Sequence, residues 1–144
     1  MKPSLLPRLL LVVALAVAVG ACNRAEAAKH QIDEPATVEP IEGSDLSRVT
    51  LTERAVERLG IETVAVAAAG GDLRAVPSGA LWLDIEGVFW VYTNPEPNVF
   101  VRHAVVVEDD NGRIATLSDG PDLGIKVASV GISELFGTEV GVGK

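Results

Sequence analysis

From residue 47 onward, short runs of Val, Ile, Thr and aromatic residues alternate with compact turn signals. These are Pro77-Ser-Gly79, Asp84-Ile-Glu-Gly87, Asn94-Pro-Glu-Pro-Asn98, Asp109-Asp-Asn-Gly112 and Ser118-Asp-Gly-Pro-Asp122. The spacing of roughly ten residues leaves no room for the helical crossovers that parallel strands require. About seven short strands joined by tight turns predict a mostly β fold, a small antiparallel sandwich or barrel with one short helix. Aromatic residues make up only 4% of the chain, so Val, Ile, Leu and Ala must supply most of the burial.

The pattern assigns individual elements. Val49–Leu51 is a strand candidate, and Thr52 is placed to cap a helix over Glu53–Leu59, with Glu53 at the positive end of its dipole and Gly60 just beyond its end. Val56 and Leu59 share one face of that helix, which at seven residues must pack on something to persist. Ile61–Val66 reads as a strand and Ala67–Gly71 as a small-residue connector. Strands then follow at Leu73–Val76, Ala80–Ile85, Val88–Thr93, Val99–Glu108, Ile114–Leu117 and Ile125–Val130. Asn111-Gly112 is a hairpin signal. On hairpin geometry Trp82 and Trp90 meet across strands.

The N-terminus specifies an address. Lys2 and Arg8 precede the apolar run Leu9–Val19, whose 11 residues suit a secretory signal and fall short of the ~20 that span a bilayer. Val19-Gly-Ala-Cys22 has the pattern of a bacterial lipoprotein signal, in which the thiol accepts a diacylglyceryl group before cleavage. The chain therefore divides into a signal peptide over 1–21, a lipidated disordered linker over 22–46, a β domain over 47–137 and a glycine-rich tail over 138–144. Two or three acyl chains anchor stably where one does not, which places the domain on the extracytoplasmic face of a bacterial membrane. The linker, with six acidic residues and two prolines over 23–46, has little to bury. Loss of Lys2 and Arg8 with the signal takes the formal net charge from −8 to −10. So acidic a chain lacks the basic footprint that nucleic acid requires.

No arrangement of residues points to catalysis. Cys22 is the only cysteine, which excludes an intramolecular disulfide and a multi-cysteine metal cluster. His30 sits in the linker without a second ligand nearby, and no metal or other cofactor is expected. His103 shares a strand face with Val99, Val101, Val105 and Val107 and reads as a partly buried structural histidine. Asp109 and Asp110, like Asp119 and Asp122, read as solvated turn residues. The feature best suited to a partner is the loop Asn94–Asn98, where Pro95 and Pro97 reduce the entropy lost on docking. Trp82, Phe89, Trp90, Tyr92 and Phe100 read first as core packing, with an exposed partner patch as the alternative; on the second reading Tyr92 and Phe100, at the strand ends beside the loop, are the aromatic anchors.

Three stretches together resemble the membrane-proximal domain of periplasmic adaptor subunits (membrane fusion proteins) of efflux transporters. Val49-Thr-Leu-Thr and Leu59-Gly-Ile-Glu-Thr-Val-Ala-Val66 resemble that domain's first strand and helical turn. Val76-Pro-Ser-Gly-Ala-Leu81, Phe89-Trp-Val-Tyr92 and Val99–Val107 resemble its return strands. Leu117-Ser-Asp-Gly-Pro and Ile125-Lys-Val-Ala-Ser-Val-Gly131 resemble its closing strands. Where adaptors insert a lipoyl domain, a barrel and often a helical hairpin, this chain has only Ala67–Ala75. The resemblance thus implies a membrane-proximal domain standing alone, a non-enzymatic binding or accessory protein beside an envelope transporter. A module that binds wall polymer or a secreted ligand is the alternative expectation.

Overall fold

A computed structural model describes residues 34–141. The expected signal peptide, Cys22, His30, the first part of the expected linker and the last three residues lie outside the described residues. What is described is a mostly β fold, an antiparallel sheet curled into a half-barrel with two short helices.

Strand β1 (Ala36–Pro40) pairs antiparallel with β2 (Ser47–Leu51), with Val38 opposite Val49. This corrects the linker expectation, which ran to Leu46. Ala36 and Val38 are half-buried against the core while Thr37 and Glu39 face water, so a modest apolar stripe suffices once β2 offers a pairing edge. Helix α1 (Glu53–Leu59) forms as its sequence predicts. The Thr52 hydroxyl accepts from the Ala55 N–H at 3.2 Å, and Gly60, at φ 64°, returns its own N–H to the last turn.

After β3 (Glu62–Ala65) comes a second correction. Ala67–Gly70 is not a bare connector but strand β4, hairpinned to β5 (Leu73–Pro77) through Gly70 and Gly71, both at positive φ. An edge strand needs backbone pairing more than side-chain bulk, so alanines serve there. A third concerns Ala80–Ile85: residues 78–80 form a single 3₁₀ turn and only Trp82–Leu83 (β6) pairs, opposite Trp90 and Phe89. Then follow β7 (Phe89–Glu96), β8 (Val99–Asp110), β9 (Ile114–Asp119) and β10 (Lys126–Val130). Helix α2 (Ile132–Glu139) carries Gly137 within it, so the ordered domain continues beyond the boundary expected at 137.

The hydrogen-bonded order is β3-β10-β7-β8-β9-β5-β4, with β2 also on β8 and β6 on β7. The two end strands, β3 and β4, are consecutive in the chain with only Val66 between them. Val66 bonds Ile125 and Gly124 at 2.9 Å each, which extends the β3–β10 ladder past the bend.

The curl produces two cores. Inside it lie Val66, Val76, Ala80, Val91, Val105, Ala115, Leu117 and Val127. Under the helices lie Val49, Leu51, Ala55, Ile61, Tyr92, Phe100, Ala128, Ile132 and Leu135. Successive strand residues point to opposite faces, so Val91 serves one core and Tyr92 the other, as do Val127 and Ala128.

Candidate partner-binding groove

The end of β7 is where the chain departs most from a regular ladder. Pairing with β8 shifts register between Thr93 and Glu96, a bulge in the run that carries Pro95. Proline has no N–H to give a ladder and tends to be accommodated where the ladder is already interrupted. The connection to β8 is only Pro97-Asn98, with Asn98 at φ 62°, the residue order that a type II turn favours. The Asn94 side-chain amide braces it, donating to the Glu96 carbonyl at 2.7 Å and the Val99 carbonyl at 2.9 Å. Arg48 on β2 pairs with Glu96 at 3.3 Å across the exposed surface.

Facing this corner is the turn from β9 to β10. Pro121 is buried beneath it and Gly124, at φ 83°, donates to Val66. Between the two turns lies an open groove of about 400 Å³ lined by Asn94, Pro95, Glu96, Pro97, Gly124, Ile125 and Lys126. Ile125 is 40% exposed. Glu96 already has Arg48, whereas Lys126 has no carboxylate within ion-pair distance among the described residues. The site is thus a stiff, partly apolar recess with one free positive charge. What such an arrangement can offer chemically is shape and charge.

The structure brings Pro95 and Pro97 together here, both exposed, and places Tyr92 and Phe100 elsewhere. Tyr92 is fully buried and Phe100 is 2% exposed, so neither is a surface anchor. Both belong to the core beneath the helices because that sheet face is covered, which a sequence read as half-solvated strands does not reveal. The Tyr92 hydroxyl donates to Glu139 Oε2 at 2.7 Å, and burial first, then this acceptor and its charge, hold the phenol well above its ordinary pKa. Arg102 Nε lies 2.8 Å from the same oxygen, with its N–H not aimed at it, so that pair is a charge contact rather than a directed hydrogen bond. The guanidinium also sits over Trp90, 4.8 Å from the ring centre.

Two further expectations change, those for His103 and Asp110, while the meeting of Trp82 and Trp90 across strands holds. His103 is exposed, since β2 leaves β8 at Val101 and β9 joins it only at Val106. Trp82 stands opposite Trp90 in register, but its stacking partner is Phe136 of α2, with centroids 4.5 Å apart. Asp110, expected to be merely solvated, accepts from the Ser78 hydroxyl and the Gly112 N–H, which hold its carboxyl below the usual range. Among the described residues, no group of three or more His, Cys, Asp or Glu is arranged to hold a metal ion.

Sequence reasoning missed Ile125 and Lys126 as groove residues. They reach Pro95 through the pairing of β7 with β10, where Val127 meets Thr93, a contact between residues far apart in the chain. The signal available was the Pro121–Gly124 turn immediately before them. Comparison with protein-family models, curated proteins and solved structures found no match to this chain.

Proposed function

We propose that this chain is an exported lipoprotein whose β domain works by binding, as an accessory of an envelope transporter. The observation that carries the reading is Val19-Gly-Ala-Cys22, a lipobox-like end to an 11-residue apolar run with the chain's only cysteine where acylation needs it. The similarity of residues 48–131 to adaptor membrane-proximal domains supports the choice of a transporter as partner. The groove beside Pro95 and Pro97 supports binding as its means, because its lining offers rigidity, a Glu96 already paired with Arg48 and one unpaired positive charge at Lys126.

Metabolic labelling with a fatty-acid analogue, followed by crosslinking in native membranes, tests both parts. The wild-type chain takes up label, and Cys22→Ser abolishes labelling and membrane retention. Recovery of a transporter subunit by crosslinking, reduced when Pro95 and Pro97 are changed to glycine, supports the partner assignment. An unlabelled wild-type chain overturns the lipoprotein reading, and recovery on cell-wall polymer in place of a transporter overturns the partner.

A further inference from the structure

At the other end of β7 from the groove, the turn Leu83–Val88 projects from the sheet. Ile85 at its tip is 105% exposed, as open as in an extended peptide, and Leu83 and Val88 are 53% and 36% exposed. Three aliphatic side chains in six residues form a local apolar prominence, where scattered single ones would need no explanation.

The prominence is rigid. Asp84 Oδ1 accepts from the N–H groups of Glu86 and Val88 at 2.9 Å each, and Oδ2 accepts from Trp90 Nε1 at 2.8 Å. Backbone bonds between Asp84 and Val88 and between Gly87 and Asp84 close the turn. With the carboxylate consumed internally, the tip presents Ile85 flanked by one free acid, Glu86. A preorganised apolar knob with one negative charge fits an apolar recess with one positive charge.

The chain carries such a recess itself. The groove has about 400 Å³, walls of Pro95, Pro97 and Ile125, a Glu96 neutralised by Arg48, and a Lys126 with no ion-pair partner among the described residues. Phe89–Thr93 of β7 separate knob and groove within one molecule, roughly 20 Å from Val88 to Asn94 at strand rise, so one copy cannot fill its own groove. We propose that the Leu83–Val88 turn of one copy docks in the Pro95–Pro97–Ile125 groove of a second, with Glu86 set against Lys126. The contact is heterologous, head to tail, and propagates as a row or closes as a ring. It deepens the reading of the groove as a docking site and rests on that reading; it requires neither the lipid nor the transporter.

The test uses the full chain in native membranes with Ile85 replaced by a benzophenone-bearing amino acid. Irradiation is expected to give an adduct of twice the chain's mass, with the crosslinked peptide containing residues 94–97 or 123–126. An adduct with lipid, with another protein, or with a different surface of this chain overturns the proposal, as does the absence of any adduct. In parallel, sedimentation of the purified full chain reads self-association. Ile85→Asp is expected to weaken it by about tenfold or more, as removal of an interface anchor does. Because Ile85 touches nothing, the thermal midpoint stays put. Lys126→Glu weakens association, and combining it with Glu86→Lys restores it; failure of that charge swap to restore association also overturns the proposal. Loss of transporter crosslinking with self-association intact would count against the transporter alone.

Discussion

The two faces of the sheet are built by different means. Inside the curl every buried residue is aliphatic, and none of them depends on the direction of a hydrogen bond. Under the helices, aliphatic packing is joined by Tyr92 and Phe100, and the end of α2 is fixed by Glu139 against Tyr92 and Arg102. Aliphatic packing is tolerant of exchange at constant volume and indifferent to pH. A buried carboxylate is neither, and losing one of its partners leaves charge stranded. The comparison teaches that the inner core contributes burial alone, while the outer one adds to its burial the polar contacts that fix where α2 sits.

The largest effect expected is on the inner side. Leu117→Ala removes a fully buried side chain and should cost about 2–5 kcal/mol in denaturant unfolding, by the same amount at pH 6 and pH 10. A loss that varied with pH would break the distinction between the faces. Next is Glu139→Ala, which strands Arg102, with its side chain 16% exposed, and leaves the Tyr92 hydroxyl without an acceptor. About 2–3 kcal/mol is expected, below the full cost of splitting a deeply buried pair because the guanidinium retains some access to water. The double variant Arg102→Met with Glu139→Leu should recover much of that loss, and failure to do so would show that the pair does more than satisfy itself.

Tyr92→Phe comes third, at about 1 kcal/mol for the lost hydrogen bond. Here pH sharpens the comparison. The folded phenol is held above its unfolded value, so its contribution is complete below about pH 10 and is lost as the pH rises further. Unfolding curves between pH 8 and pH 11.5 should show the wild type losing stability at the alkaline end more steeply than Tyr92→Phe. Parallel slopes would remove Tyr92 as the cause.

The smallest effect is local. Asp84 is held below the usual carboxylate range by the Trp90 indole first and the Val88 N–H second. Its contribution is present above the unfolded pKa and lost as the pH falls through the lower folded value. Trp90 fluorescence should change in strong acid, whereas Asp84→Asn should bring a comparable change at neutral pH and leave the global unfolding midpoint nearly unmoved. A large shift of that midpoint would mean that the turn is part of the core.

Much of the sheet is legible in the sequence because its signals are local. Thr52 and Gly60 bracket α1 by capping chemistry, and Asn111-Gly112 forces its hairpin. What was not legible depends on partners that the segment's own residues do not announce. Ala36–Pro40 looks like linker until β2 lies beside it, and Ala67–Gly70 looks like connector until β5 does. Tyr92 and Phe100 read either as core residues or as surface anchors, because nothing nearby in sequence says that α1 and α2 cover their face. Half the groove was readable, since Pro95 and Pro97 stiffen their own segment. Ile125 and Lys126 join it only through tertiary pairing.

The placement of β1 governs how the domain answers a pull on its N-terminal side. The Thr52 N–H donating to the Pro35 carbonyl at 3.0 Å is the first bond met from that direction, Ala36 opposite Leu51 follows, and Pro40 opposite Ser47, beside the turn, is the last. Load entering at Glu34 therefore opens the ladder one rung at a time, as a zipper, instead of shearing all rungs together. Only Ala36 and Val38 leave the core as it opens. Releasing residues 34–46 pays out roughly 45 Å of chain at full extension, while β2 stays paired with β8 and the curled sheet keeps its ladders. The domain carries its own slack, and force reaches the cores only after that length is spent.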